Sequence, residues 1–284
     1  MSNSRYLESC PIGCTATLVP SDIVLAEGAL LYCQECGQLI SQCGEERYWQ
    51  SMQEFDDPRG TLPTADSGER RSEQNRKWLG KISRLLEKPA QEIILLDVGC
   101  SSGAFLSTAA ALGFRAQGVE PAAKAAQSAI QSGLRVHIGT LQEARFPAEH
   151  FDAVTLFEVI EHIKEPITLL NECHRIMRSG GVLMIGTGNT DSWTAAFMKS
   201  RWQYFQINHH GGHVSFFNPH SLRLLAARAG FTLEAVETRT VRFYEKGDVA
   251  PALYRTAKVV TELLNFPARR LGKGQDMLAV LRPC

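Results

Sequence analysis

The apolar positions of this chain fall into short, nearly unbroken runs separated by amphipathic stretches, a pattern expected of buried parallel strands alternating with helices. The clearest run is Glu92 to Gly103, EIILLDVGCSSG. Ile93, Ile94, Leu95, Leu96 and Val98 surround one acid, Asp97, and the run breaks into the turn Gly99-Cys100-Ser101-Ser102-Gly103. A helix-compatible stretch, Ala104 to Leu112, follows at once. Residues 114 to 120, FRAQGVE, read as a second strand ending in Glu120. A helix (Pro121 to Gln131), a strand (Leu134 to Ile138) and the turn Gly139-Thr140-Leu141 come next. Phe151 to Val159, FDAVTLFEV, is a fourth strand running into Ile160-Glu161-His162. Leu169 to Met177 reads as helix closed by Ser179-Gly180-Gly181, and Val182 to Gly186 as a fifth strand. TLEAVET after Phe231 and Met277 to Leu281 give strands six and seven. Upstream, Glu69 to Glu87 is an amphipathic helix with Trp78, Ile82, Leu85 and Leu86 on one side.

Strand, glycine turn and helix in that order make half of a βαβ unit, a usual seat for a nucleotide-like cofactor. The turn lacks the Gly-Lys-Ser/Thr ending of a phosphate loop and the middle glycine of G-x-G-x-x-G. A cofactor without a pyrophosphate fits better. Glu120, at the end of the second strand and about 20 residues past the turn, is placed to accept hydrogen bonds from ribose hydroxyls.

With DVGCSSG, GVE, FDAVTLFEVIEHI and RIMRSGGVLMIGTGN in register, the chain resembles the class I S-adenosylmethionine-dependent methyltransferases over roughly residues 90 to 235 plus its last few residues. The resemblance implies an α/β fold: a Rossmann-like seven-stranded sheet with helices on both faces. It implies S-adenosylmethionine as cofactor, with Asp97, Gly99, Cys100 and Gly103 around its methionine part and Glu120 on its ribose. Thr140 and Leu141 would flank the adenine, and Phe157, Glu158 and Val159 would line the other side. His213, His162 and His210 are the implied catalytic candidates, His213 foremost as acceptor contact or general base. Cys100 has the look of a nucleophile, but no activating partner stands beside it, so it reads as a small residue filling the turn. Trp193, Trp202 and Tyr204 read either as walls of an acceptor pocket or as core.

Five of the eight cysteines lie in the first 43 residues. Cys10 with Cys14 and Cys33 with Cys36 form two close pairs, which two tight turns can bring together into a closed, structural Cys₄ zinc site. So small a segment would draw its folding energy from the metal, and Cys43 reads as a bystander. The order of cysteine ribbon, aromatic pair Tyr48-Trp49 and cofactor domain is similar to a bacterial methyltransferase subgroup. The expected division is residues 1–47 as zinc-ribbon-like segment, 48–88 as linker and packing helix, 89–238 as cofactor-binding core, and 239–284 as insertion helix and final strand. Within the last, Pro251 to Leu264 reads as helix and Phe266 to Lys273 as a basic, apolar loop, open to roles as lid, homodimer contact or membrane patch.

Thirty basic residues balance thirty acidic ones, which disfavours a nucleic-acid partner that relies on phosphate neutralisation. No apolar run approaches the ~20 residues of a membrane span, and the N-terminus lacks a signal-peptide layout. A cytoplasmic protein is expected. The expected activity is methyl transfer to a small molecule or sugar-containing precursor, with oxygen favoured because histidine bases are available. The rivals are an RNA methyltransferase gripping substrate with its ribbon, and a non-catalytic binding protein of the same fold.

Overall fold

A seven-stranded sheet organises the chain in the computed structural model, which describes residues 5–55, 65–207, 212–245 and 247–284. The N-terminal segment forms β1 (Leu18–Leu25), β2 (Gly28–Cys33) and β3 (Leu39–Ile40), followed by α1 (Glu45–Phe55) and α2 (Ala65–Leu86). Alternation then begins with β4 (Ile94–Val98), α3 (Ala104–Ala111), β5 (Arg115–Glu120), α4 (Ala123–Gln131), β6 (Val136–Ile138) and α5 (Leu141–Ala144). It continues through β7 (Phe151–Phe157), α6 (Pro166–Ile176), β8 (Met177–Gly188) and α7 (Trp193–Met198). The chain ends with β9 (Ser215–Phe216), α8 (Pro219–Arg228), β10 (Phe231–Arg239), α9 (Pro251–Arg270) and β11 (Asp276–Pro283).

The main sheet runs β10-β11-β8-β7-β4-β5-β6. Strands β4 to β8 pair in parallel, and β11 enters antiparallel between β8 and β10. From β4 the order moves outward one way through β5 and β6, and from β7 it moves the other way through β8. The crevice between β4 and β7 is therefore the topological switch point, where open α/β sheets bind ligands.

Alternate side chains of each strand face opposite layers. Leu96 and Val98 of β4 and Leu183 and Ile185 of β8 pack with Leu169 and Leu170 of α6 and Leu222 and Leu225 of α8. Leu95, Val182 and Met184 turn the other way, onto Leu79 and Ile82 of α2 and Phe105 and Leu106 of α3. Continuous apolar runs follow from burial on both faces.

Two boundaries differ from the sequence reading. Ser179-Gly180-Gly181 lie inside β8, not at a helix end: the helix stops at Ile176 and the strand starts at Met177, paired with Phe151. The glycine at 180, with φ +75°, and a register shift between Phe151 and Ala153 absorb the irregularity. The helix read as ending at Leu264 runs on to Arg270 through Pro267. The ring removes one backbone donor near the helix end, and the last turn survives because Leu271 N–H still reaches the Pro267 carbonyl at 3.0 Å.

The cysteine segment does not stand apart. β1, β2 and β3 form a second sheet whose fourth strand is β9, with Leu39 opposite Phe216 and Ile40 opposite Ser215. Ile12, Cys33, Cys36 and Ile40 share one buried cluster with Ile160, Leu170, Leu222 and Phe217.

Candidate active site and candidate metal centre

All the cofactor candidates gather at the carboxyl ends of β4, β5, β6 and β7. Gly99 and Cys100 N–H both donate to the Val119 carbonyl, at 2.8 and 3.1 Å, which folds the turn back onto β5. Gly99 has φ +75°, and a Cβ there would collide with the Val159 side chain, so glycine is required where the turn after β4 meets the turn after β7. Gly103 opens α3 at φ +85°.

Asp97 is buried, and its Oδ1 accepts a 2.6 Å hydrogen bond from Thr155 Oγ1 on the neighbouring strand. Burial pushes its carboxyl up to about 7 against the opposing pull of Thr155, with the Glu120 charge adding to the rise. Glu120 is buried too. Its oxygens accept from Ser101 N–H and Ala122 N–H, both at 2.8 Å, so the carboxylate straps the glycine turn to the end of β5. Burial, then Asp97 and Glu120, push the Cys100 thiol well up, which suits a turn filler and not a nucleophile.

Thr140 caps α5: its hydroxyl accepts from Glu143 N–H while the Glu143 carboxylate accepts from Thr140 N–H. Leu141 beside it is buried. Phe157 stacks on Trp78 of α2 at 4.3 Å between ring centres. Glu158 stands at φ +54° with surface open to solvent, yet protein crowds it from most sides. That crowding first, and the Glu161 charge second, hold its carboxyl well above the usual range.

Past β7 the chain makes one 3₁₀ turn, Ile160–His162, which sends Glu161 inward and leaves His162 half-buried. Glu161 is fully buried; its Oε1 accepts from the Tyr204 hydroxyl at 3.0 Å and its Oε2 from Thr187 Oγ1 at 3.1 Å. Burial raises its pKa despite these donors. The Tyr204 hydroxyl also accepts from Gly188 N–H at 2.9 Å. His213 is buried, with Nδ1 2.9 Å from the Tyr204 carbonyl, so Nδ1 carries the proton and Nε2 points to Glu161 Oε1, 3.8 Å away. The His162 and His213 rings lie 4.6 Å apart. The structure thus brings His162, His213 and Glu161 together, while His210, with His209, falls outside the described residues.

Sequence reading missed the partners of this cluster: Thr187, and Tyr204 in a polar role. The available signal was Glu161, the second acid of FEVIEHI, a charge inside an apolar run that must find donors once buried. It also missed Asp152, whose buried carboxylate accepts from Lys88 Nζ at 2.8 Å, Ile94 N–H at 2.9 Å and Arg178 at 3.1 Å, clamping the entry edge of the sheet.

The ribbon props this side of the cleft. Tyr48 donates its hydroxyl to the His162 carbonyl at 3.1 Å, and Ser41 N–H donates to the Val214 carbonyl at 2.9 Å. Asn218 donates to the Cys36 carbonyl, and Arg228 reaches the Ile12 carbonyl and Cys14 Sγ.

Cys10, Cys14, Cys33 and Cys36 converge with their sulfurs within 4.8 Å of one another, all buried. Cys10 and Cys36 sulfurs are 3.6 Å apart, far beyond a disulfide bond of about 2.05 Å and close to the ~3.8 Å edge of a tetrahedron with 2.3 Å zinc–sulfur bonds. Hydrogen bonding from Cys36 draws Cys10 down to about 6, whereas burial pushes Cys14 up to about 11. One negative charge is thus readily held and further ones resisted, a conflict that a cation resolves. The donor set fits zinc. Cys43 lies outside the four, its Sγ 3.2 Å from the Gly44 carbonyl.

Residues 70–236 match a family described as a methyltransferase domain. Ubiquinone biosynthesis O-methyltransferase of Cereibacter sphaeroides is 34% identical over 122 residues, 40% of this chain and 49% of that protein. The protein of the same name from Haemophilus ducreyi is 34% identical over 106 residues, 34% of this chain and 45% of that protein. The chain thus spans about half the length of these relatives. A S-adenosylmethionine-dependent methyltransferase from Archaeoglobus fulgidus shares the fold at a TM-score of 0.52 and 19% identity, over 73% of this chain and 94% of that one.

Proposed function

Because the chain belongs to the class I S-adenosylmethionine-dependent methyltransferases, we propose that it moves a methyl group from that cofactor to an oxygen of a hydroxylated small molecule. The observation that carries this reading is the pairing of two polar groups at one crevice. Asp97 and Glu120 lie on the cofactor side, and Glu161, His162 and His213 on the other, joined by the short turn Glu158–His162. The names of the relatives support oxygen as acceptor atom and a small precursor as acceptor.

The bound cofactor supplies a methyl carbon already activated on a sulfonium, so transfer makes an oxygen–carbon bond while the carbon–sulfur pair returns to sulfur. The protein's part is positioning and removal of the acceptor's proton. Gly99 and Gly103 let backbone approach the methionine part, Asp97 and Glu120 offer acceptors for its ammonium and ribose, and Thr140 and Leu141 bound the adenine. Phe157 and Val159 close the crevice opposite. The hydroxyl loses its proton at the Glu161, His162 and His213 group. The four cysteines hold a structural zinc that fixes this second side.

Calorimetric titration with S-adenosylmethionine and S-adenosylhomocysteine, then turnover with catechols and nucleotide sugars, tests the reading. One cofactor per chain with micromolar affinity, and methylated oxygen in the product, is expected. Absence of cofactor binding would overturn it.

A further inference from the structure

We propose that the cleft between α2, β10 and the end of α9 binds the phosphate or diphosphate group of a small molecule, at a site separate from the crevice assigned to the cofactor. Its role rests on the methyl-transfer reading: the group anchors the acceptor at a point remote from the reacting oxygen.

The cleft encloses about 680 Å³, within the range of about 300–1,000 Å³ common to small-molecule sites. Helical spacing builds one wall. Lys77, Trp78, Lys81, Arg84 and Leu85 fall at i, i+1, i+4, i+7 and i+8 along α2 and so share one face. Arg239 at the end of β10 and Arg269 in the last turn of α9 line the opposite side.

Five cations thus face one carboxylate, Glu237, across the lining. That acid pairs with Lys81, and Lys77 pairs at 2.7 Å with Glu73, outside the lining. Arg84, Arg239 and Arg269 make no ion pair among the described residues. Burial pulls the Arg239 guanidinium below its ordinary value against the charges of Glu237 and Asp276, and Arg269 pulls it the same way. Positive charge is crowded here, and an anion relieves it.

The hydrogen-bonding inventory selects the ligand. Lysine and arginine side chains donate and never accept, and the indole N–H of tryptophan is likewise a donor only. Trp78 Nε1 is buried and meets no acceptor among the described residues, a state that native folds rarely tolerate. The Arg239 guanidinium lies over the same indole, 5.2 Å from its ring centre. A ligand for such a lining must be negative and rich in acceptors. Phosphate oxygens meet both demands, and guanidinium groups hold them in pairs.

Position ties the cleft to the reaction. Trp78 stacks on Phe157 at the end of β7, so one aromatic pair is a wall common to cleft and crevice. Arg239 stands opposite Asp276, and Asp276 opposite Gly188, which puts this end of the cleft on the carboxyl edge of the sheet. A single acceptor can therefore place its phosphate in one space and a hydroxyl in the other. Binding energy from such a remote group positions the reacting atom.

The full chain is titrated calorimetrically with pyrophosphate at low salt, without acceptor or cofactor, and separately with S-adenosylmethionine. One pyrophosphate per chain is expected, with a change in tryptophan fluorescence. Arg239→Gln should weaken binding about tenfold or more, as lost charge-assisted hydrogen bonds do, with cofactor affinity changed less than about threefold. The double variant Arg84→Gln/Arg269→Gln, at two exposed positions that the fold does not need, should do the same. Trp78→Phe keeps an aromatic ring without the N–H and should lose both the fluorescence change and part of the affinity. If wild-type protein binds S-adenosylmethionine but no pyrophosphate, the inference falls and the methyl-transfer reading stands. Sedimentation with phosphatidylglycerol vesicles that the double variant abolishes, without pyrophosphate binding, would assign these cations to a lipid surface and overturn it too. Pyrophosphate affinity unchanged in all three variants also overturns it. Variant-sensitive pyrophosphate binding without any cofactor binding would overturn the methyl-transfer reading and leave the anion site standing.

Discussion

The two sides of the crevice sit at the ends of the same parallel strands, yet they are assembled in opposite ways. The side proposed for the cofactor is mostly local. Asp97, the glycine turn and Glu120 lie within 24 consecutive residues, and their polar contacts are with one another's backbone or with the adjacent strand. The other side is built from distant parts. Glu161 meets Tyr204 across 43 residues, His162 meets Tyr48 across 114, and the segment after His213 pairs with β3 of the cysteine ribbon. A mostly local site needs its own βαβ unit and the one strand beside it, β7, which supplies Thr155, whereas a non-local one depends on every element that props it. Cofactor binding and acceptor chemistry should therefore fail separately.

The largest effect should come from removing a prop. Structural zinc in small cysteine sites is worth about 10–16 kcal/mol of apparent binding free energy, so Cys36→Ser should forfeit the ribbon's own stability. A fall in Tm of about 10 °C or more is expected, at about 2–4 °C per kcal/mol for a chain of this size. Turnover should fall at least a hundredfold while cofactor affinity changes less than about threefold. Scanning and titration calorimetry check both; a parallel loss of cofactor affinity would erase the distinction between the two sides.

The cofactor side can be perturbed alone through Asp97. Its folded pKa of about 7 is raised above the unfolded value of about 3.9. The contribution it makes to stability is fully present below about pH 4 and is lost as pH rises through about 7. The lost amount is on the order of 4 kcal/mol, at about 1.4 kcal/mol per unit. Affinity for the cationic cofactor should move oppositely, rising up to about tenfold per pH unit until about pH 7 and then levelling. Asp97→Asn should flatten both profiles. Urea titrations and calorimetry between pH 5 and 8.5 read the two slopes, and a persisting affinity slope in Asp97→Asn would assign it to another group.

The contrast also explains what could be read in advance. Strand, turn and acid are contiguous on the side proposed for the cofactor, so the gathering of Asp97, Gly99, Gly103 and Glu120 around one turn is legible from local pattern. So is the order of strands, because runs buried on both faces are unbroken. The four cysteines are legible from spacing. Nothing in one-dimensional pattern joins Glu161 to Thr187 and Tyr204, or ties Tyr48 to His162, since those contacts exist only after sheet and ribbon close. Ser179-Gly180-Gly181 carried a helix-end signal, and the pairing of Met177 with Phe151 overrode it. Pro267 carried a loop signal, and its place near the helix end made it tolerable.

The smallest effect sharpens the same comparison. Lys199 and Asp22 pair at 2.7 Å between the residues after α7 and β1, but both are largely exposed. Asp22→Ala should change stability by less than about 0.5 kcal/mol and leave turnover intact, because the buried contacts hold ribbon to core. A larger loss in urea unfolding would show surface charge doing that holding.

Hydrogen exchange by mass spectrometry on wild-type and Cys36→Ser protein tests the division most directly. Protection should drop across residues 160–163 and 212–217 and stay unchanged across 94–98 and 115–120. Equal loss in all four segments, or no loss in the first two, would contradict an acceptor side held in place by the cysteine ribbon.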